Sequence, residues 1–218
     1  MQPTFISLPD PAPPDRPKLR MAQYLADPLR ISAAIIERKL AASAEARPAA
    51  AARLNRLAMQ LPAAASVDGV RTIEASAARS YWREWRFRLR FSGETTFPTR
   101  WRTFATRSSG LTSAPRRATH PINAILNYGY AIIAAQLRRA IVAKGLDPAY
   151  GSLHANEDGR SSLLWDVIEP LRPKLDAQLL SWAKQETWKR SDFSVDLAGH
   201  VTLADPLARI VVHQALLP

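Results

Sequence analysis

From Pro121 to about Lys144 the chain carries one long apolar stretch in helical period, and any structure it adopts has to bury that stretch. Ile122, Ile125, Leu126, Ile132, Ile133, Leu137 and Ile141 fall along it. Pro121 suits a first helical turn and Gly145 a left-handed cap, so the spacing predicts a single core helix between them. Asn123, Asn127 and Tyr128 interrupt its apolar character and read as buried hydrogen-bonders that hold neighbouring loops. His120, just ahead of the proline, reads as a surface or capping histidine.

The segments around this helix are also helical in pattern, and the expected fold class is mainly α. Residues 1–18 are studded with prolines and read as an extended, disordered tail. Residues 19–64 read as N-terminal helices. Asp27-Pro28 makes a capped start, Leu29, Ile35, Ile36 and Leu40 give one apolar face, and an alanine-rich run restarts at Pro48. Residues 65–218 read as one helical domain. There Asp68 is expected to cap a helix over 69–90, with Val70, Ile73, Ala77, Tyr81 and Trp85 near one face. Leu175, Leu179, Leu180 and Trp182 mark a further amphipathic helix, residues 193–203 turn at Gly199, and Asp205-Pro206 starts a last helix. His200 and His213 show no carboxylate partner at a convincing spacing and read as structural.

With 218 residues, the chain is long enough for one good core. Its net charge of +11 points to a polyanionic partner. The absence of cysteine excludes disulfides and thiolate metal sites. No apolar run reaches the roughly 18–20 residues of a membrane span, and the N-terminus does not read as a secretory signal. A cytoplasmic protein without membrane contact is the simplest expectation. Neither a phosphate-binding Gly-x-x-x-x-Gly-Lys loop nor a Gly-x-Ser-x-Gly elbow is present.

Chemistry concentrates between Gly151 and Pro173. His154 precedes a polar loop centred on Gly159, and the short apolar run Leu163–Ile168 leads into Asp166 and Glu169. Residues three apart share a helix face, so the two carboxylates are expected to point to one spot. Like charges held together need a cation or an arginine between them. With an imidazole nearby, the group has donor types that a divalent cation accepts. Glu74 adjoins an apolar helical stripe. On position alone it reads as an edge residue paired with Arg71 or Arg79.

Arg83, Arg86, Arg88, Arg90, Arg100, Arg102 and Arg107 interleave with Trp85, Phe87, Phe91, Trp101 and Phe104. Most of the rings are expected in the core, while the arginines are open to two readings, contact with DNA phosphates or plain solvated surface. Ser108–Arg117 reads as a mobile loop whose Arg116 and Arg117 can extend the basic face, as can Lys189 and Arg190 in the Lys184–Arg190 patch.

Three ordered motifs carry a family resemblance. Gly-x-Leu-His, Gly-Arg-x-Ser-Leu and Asp-x-x-Glu-Pro-x-Arg-Pro, all within 151–173, resemble the CRISPR-associated endonuclease and integrase of spacer acquisition, Cas one. Asn123–Tyr130 is similar to the helix preceding that family's histidine, and Glu74–Trp82 to its first acidic motif, with Ala75 where glycine is usual. The resemblance implies a helical catalytic domain in which Glu74, His154 and Glu169 hold Mg²⁺ or Mn²⁺, with Asp166 alongside. It also implies phosphodiester transesterification or hydrolysis on DNA spacer ends, repeats and branched DNA, homodimerisation, and a Cas two partner. The family's N-terminal β-domain, through which the dimer forms, has no counterpart in alternating strands before Glu74, so the expectation is that domain lacking. A non-catalytic DNA-binding relic and a metal phosphodiesterase for another substrate remain the alternatives.

Overall fold

Proline marks where this chain begins its helices, because a residue with fixed φ and no N–H fits the first turn. In a computed structural model that describes residues 15–92, 97–107 and 117–215, most of the α-helices start this way. They are α1 (Arg16–Leu25), α2 (Pro28–Ala46), α3 (Pro48–Ala58), and further along α5, α7 and α8, the last with Pro206. Asp15 caps α1 and Asp27 caps α2 through their side chains. The expected tail therefore ends sooner than residue 18, since a capping aspartate with Pro17 in the first turn is a helix start; its residues 1–14 lie outside the described residues.

α4 spans Val67–Arg83. Its cap is Ser66, whose Oγ accepts the Gly69 amide at 3.1 Å, and Asp68 sits inside the first turn. The helix stops well before residue 90. Beyond it β1 (Phe87–Arg88) and β2 (Arg90–Phe91) run extended, followed by β3 (Thr103–Phe104). The cause is legible in the alternation of Trp85, Phe87, Leu89 and Phe91 with Arg86, Arg88 and Arg90, a period of two that suits a half-buried strand. β1 pairs antiparallel with β3, Phe87 opposite Phe104.

α5 (Pro121–Ala143) is the expected core helix, capped by His120 through its Nδ1 and followed by Gly145 at φ +81°. α6 (Ser162–Ile168), a 3₁₀ turn at Glu169–Leu171, and α7 (Arg172–Gln185) follow. β4 (Thr187–Trp188) pairs in parallel with β2, Arg90 opposite Thr187. The hairpin of β5 (Phe193–Val195) and β6 (Val201–Leu203) turns at Gly199, and α8 (Asp205–Ala215) closes the described chain. The hairpin folds Asp196 back onto His200, Nδ1 to Oδ2 2.8 Å, so His200 does have a carboxylate partner.

Two apolar cores result. The larger gathers Ile122, Ile125, Leu126 and Ile133 of α5 with Leu175, Leu179, Trp101, Phe104 and Val211. The smaller joins Ile36, Leu40 and Leu54 to Val70 and Ala77 of α4, and Leu153 reaches into it from the loop before α6. The division expected between residues 64 and 65 therefore runs through a shared core. Among the described residues no strand precedes Phe87, and no helix is long and apolar enough to cross a membrane.

Candidate functional site

His154 stands on a short irregular segment that several groups hold in place. Asp166, fully buried on α6, accepts the backbone amides of Ser152 (2.5 Å), Leu153 (2.9 Å) and His154 (3.0 Å). Its Oδ1 also lies 2.7 Å from His154 Nδ1. Arg71 of α4 donates to the Leu153 carbonyl from Nε at 2.8 Å and Nη2 at 2.5 Å. A carboxylate that receives three amides acts as the hub of the turn, and its bond to Nδ1 leaves Nε2 as the histidine's working nitrogen.

On the other side of the site, two carboxylates from distant parts of the chain meet one cation. Lys39 of α2 places Nζ 2.5 Å from Glu74 Oε1 and 2.5 Å from Glu169 Oε2. Arg172 holds the second Glu169 oxygen at 2.7 Å. Burial alone pushes the Glu169 carboxyl toward neutrality, but Lys39 and Arg172 outweigh it and hold the group below the usual carboxylate range. Burial likewise opposes charge on Lys39, and Glu169 and Glu74 more than restore it, so the ammonium is held above its ordinary value.

A third buried group adjoins these. Tyr130 of α5 donates its hydroxyl to Asp176 of α7. Burial pushes the Asp176 carboxyl up to about 6. The Arg172 guanidinium lies over the Tyr130 ring, 4.9 Å from its centroid, and Arg107 lies 5.3 Å from the same centroid. Arg107 also donates to Asn123 and Asn127, which fits the expectation that these asparagines hold a loop; Tyr128 instead points to solvent. Two clefts open here. One of about 390 Å³ is lined by His154, Arg160 and Trp165, the other, about 230 Å³, by Lys39, Glu74 and Asp176; Arg107, Tyr130 and Arg172 line both.

The sequence-derived site residues thus separate into two groups. Glu74 and Glu169 converge; Asp166 faces away from them, toward the His154 turn, although it stands three residues before Glu169. Asp166 is taken up by the amides of the His154 turn, while Glu169, at the start of a 3₁₀ turn, meets Lys39 and Arg172. Arg71 pairs with Asp68 and Arg79 with Ser76, so neither takes Glu74. Lys39 was missed. Its signal is positional, a lysine three residues after Ile36 and four before Ser43, both buried, which places it on the helix face turned inward.

Of the basic residues expected to meet DNA, Arg83, Arg86, Arg100, Lys189 and Arg190 are exposed, as is Arg117, while Arg116 lies outside the described residues. Trp85, Trp101 and Phe104 are buried, as expected for core rings. The β2–β4 pairing sets the segment after α4 beside the one after α7, and Arg190 lies 5.5 Å from the Trp101 ring centroid.

A family model described as CRISPR associated protein Cas1 matches residues 15–215. The chain belongs to the Cas1 family. Similar Cas1 proteins include the CRISPR-associated endonuclease Cas1 2 of Pyrobaculum aerophilum, 34% identical over 125 residues, which are 57% of this chain and 36% of that protein. Another, from Archaeoglobus fulgidus, is 45% identical over 62 residues, 28% of this chain and 18% of that one. The matched stretches span little more than a third of the two Pyrobaculum Cas1 relatives, 36% and 39%. Among solved structures, a casposase bound to integration product aligns over 92% of this chain and 59% of its own, with TM-score 0.77 and 24% identity. A CAS1 protein from Thermotoga maritima aligns over 90% and 61%, with TM-score 0.70 and 19% identity. These likenesses establish the mainly α Cas1 fold.

For a Cas1 chain the remaining issue is whether the donors suit a divalent cation. Glu74 and Glu169 already share the Lys39 ammonium through hard oxygen donors, which suit Mg²⁺ or Mn²⁺. Among the described residues, however, no three His, Asp or Glu side chains close into one ligand cluster. The donor chemistry fits, and an ammonium stands where the two carboxylates meet.

Proposed function

We propose that this chain is the helical catalytic part of a metal-dependent DNA endonuclease and integrase of CRISPR adaptation. The observation that carries this reading is the meeting of Glu74 and Glu169 on one cation, with His154, oriented by buried Asp166, close enough to help hold the Glu169 carboxyl down. Mg²⁺ or Mn²⁺ held by Glu74 and Glu169, with His154 adjacent, would supply Lewis-acid stabilisation of a phosphodiester under attack. Manganese accepts an imidazole nitrogen more readily than magnesium does.

This chain's own residues supply the rest. Asp166 sets the His154 ring so that Nε2 is the free nitrogen. Arg107, Arg160 and Arg172 give the histidine cleft a positive lining suited to a phosphate, and Trp165 gives it an aromatic face. The exposed Arg83, Arg86, Arg100, Arg117, Lys189 and Arg190, with Arg116, are the residues proposed to track the DNA backbone. DNA spacer ends, the repeat and branched DNA are the proposed substrates, with a second copy of the chain and Cas2 as assembly partners. Solved neighbours are described as a casposase bound to integration product and as Cas6-RT-Cas1–Cas2 complexes. A single observation favours the rival reading, a DNA-binding relic without catalysis: the Lys39 ammonium lies between the two carboxylates.

The deciding experiment incubates labelled branched DNA with the chain and Mn²⁺, with and without chelator. Cleavage that disappears with chelator and in His154→Ala, while salt-sensitive DNA binding persists, supports the enzyme. Binding without cleavage by the unaltered chain sinks it in favour of the relic. Binding should fall with salt at a log–log slope of roughly −0.9 per phosphate contacted on duplex DNA.

A further inference from the structure

Lys39 comes from α2, in the N-terminal helices, and its side chain is 15% exposed. It bridges Glu74 on α4, whose side chain is 25% exposed, to Glu169 beyond α6, which is 2% exposed. Glu74 has no other ion-pair partner among the described residues, whereas Glu169 keeps Arg172. Removing the ammonium would leave two converging carboxylates, only Glu169 of them paired with a guanidinium, an arrangement that repels unless another cation enters.

We propose that Lys39 is a positioning residue of the metal site: its ammonium holds Glu74 and Glu169 together before metal arrives, and the divalent ion displaces it. This rests on the metal reading given above. A doubly charged ion neutralises the pair better than one ammonium, while the ammonium keeps the site assembled at low metal. The four-carbon stem lets Nζ withdraw without movement of α2, and a strongly hydrated, compact charge on a flexible stem suits a reversible occupant better than a rigid guanidinium does. The cleft that Lys39 lines also holds Asp176, a second carboxylate for the displaced charge to face. The site then has two cation-loaded states, one closed by the protein itself, and metal affinity carries the cost of displacing the lysine.

The test uses the full chain and Mn²⁺ alone. Isothermal titration calorimetry should show Lys39→Met binding Mn²⁺ at least about tenfold more tightly than the unaltered chain, because a competing ion pair of modest strength is gone. Thermal unfolding should show the variant melting lower without metal and recovering with Mn²⁺, a larger metal-induced shift than in the unaltered chain. A second measurement needs no variant. Mass-spectrometric footprinting with an amine-acylating reagent should find Lys39 protected without metal and reactive at saturating Mn²⁺. Equal or weaker Mn²⁺ affinity in Lys39→Met, or Lys39 protection unchanged by Mn²⁺, overturns the displacement while leaving the metal site standing. No Mn²⁺ binding by either chain overturns the displacement and the metal reading together.

Discussion

The Asp166 carboxylate and the His154 ring meet at 2.7 Å, and the same carboxylate takes the three amides that shape the His154 turn. One buried side chain therefore sets both the path of the loop and the tautomer of the histidine. Replacing it by asparagine puts an NH₂ group among N–H donors. Asp166→Asn should destabilise the fold by about 2–4 kcal/mol, the usual range for a broken buried charge network. His154→Ala, which removes a side chain 26% exposed, should cost less than about 1 kcal/mol. Urea unfolding of the two variants checks the contrast; equal losses would mean that the carboxylate does not hold the turn.

Gly151 gives this turn room to approach α6. A Cβ there would lie 2.7 Å from the Ser162 carbonyl carbon, 2.8 Å from Asp166 Oδ2 and 2.9 Å from the Leu163 amide nitrogen. Two of these are backbone atoms that cannot rotate aside. Gly151→Ala should cost about 1–3 kcal/mol by overpacking, measured by thermal unfolding, and should also weaken any function that depends on His154.

Acid should weaken the fold through His120, at the start of α5. Burial lowers its imidazole from 6.5 to about 4, outweighing the nearby backbone carbonyls of Trp101 and Thr103 that favour the charged ring. The unfolded chain takes up a proton near pH 6.5 and the folded chain only near 4. The stability that follows is fully present above pH 6.5 and is lost as pH falls from there toward 4. The loss is on the order of 2–3 kcal/mol. His120→Asn, which keeps a capping side chain, should flatten that part of the stability–pH curve. A curve of unchanged slope would show that other groups carry it.

Tyr130 and Asp176 should act with the opposite sign over much the same pH range. The carboxyl is raised to about 6, chiefly by burial, and its ionised form leans on the Tyr130 hydroxyl. A buried acid with a raised pKa contributes stability at low pH that is lost as pH rises through 6. Tyr130→Phe removes the donor and should cost about 1–3 kcal/mol. The loss should be larger at pH 8 than at pH 5, read from denaturant midpoints at each pH. A loss independent of pH would mean that the hydroxyl does not serve the charged form.

Local sequence determined the helices. Pro28, Pro48, Pro121 and Pro173 mark their starts, Gly145 the end of α5, and the isoleucines and leucines of α5 its burial, because backbone dihedrals and apolar period act within a few residues. The candidate site residues Glu74, His154 and Glu169 came from a family resemblance rather than from spacing. Even the strands after α4 left a trace in the alternation of rings and arginines, although a two-residue strand needs a partner from elsewhere to exist. Tertiary structure alone decided what each charge faces. The spacing of Asp166 and Glu169 suggests one shared target, yet packing gives the first to the His154 amides and the second to Lys39 and Arg172. Lys39 belongs to a helix whose sequence reads only as packing, and its partners lie on two other elements of the fold. A buried charge takes whichever opposite charge the packing brings within a few ångströms, and that proximity is a property of the assembled cores, with no period along the chain to record it.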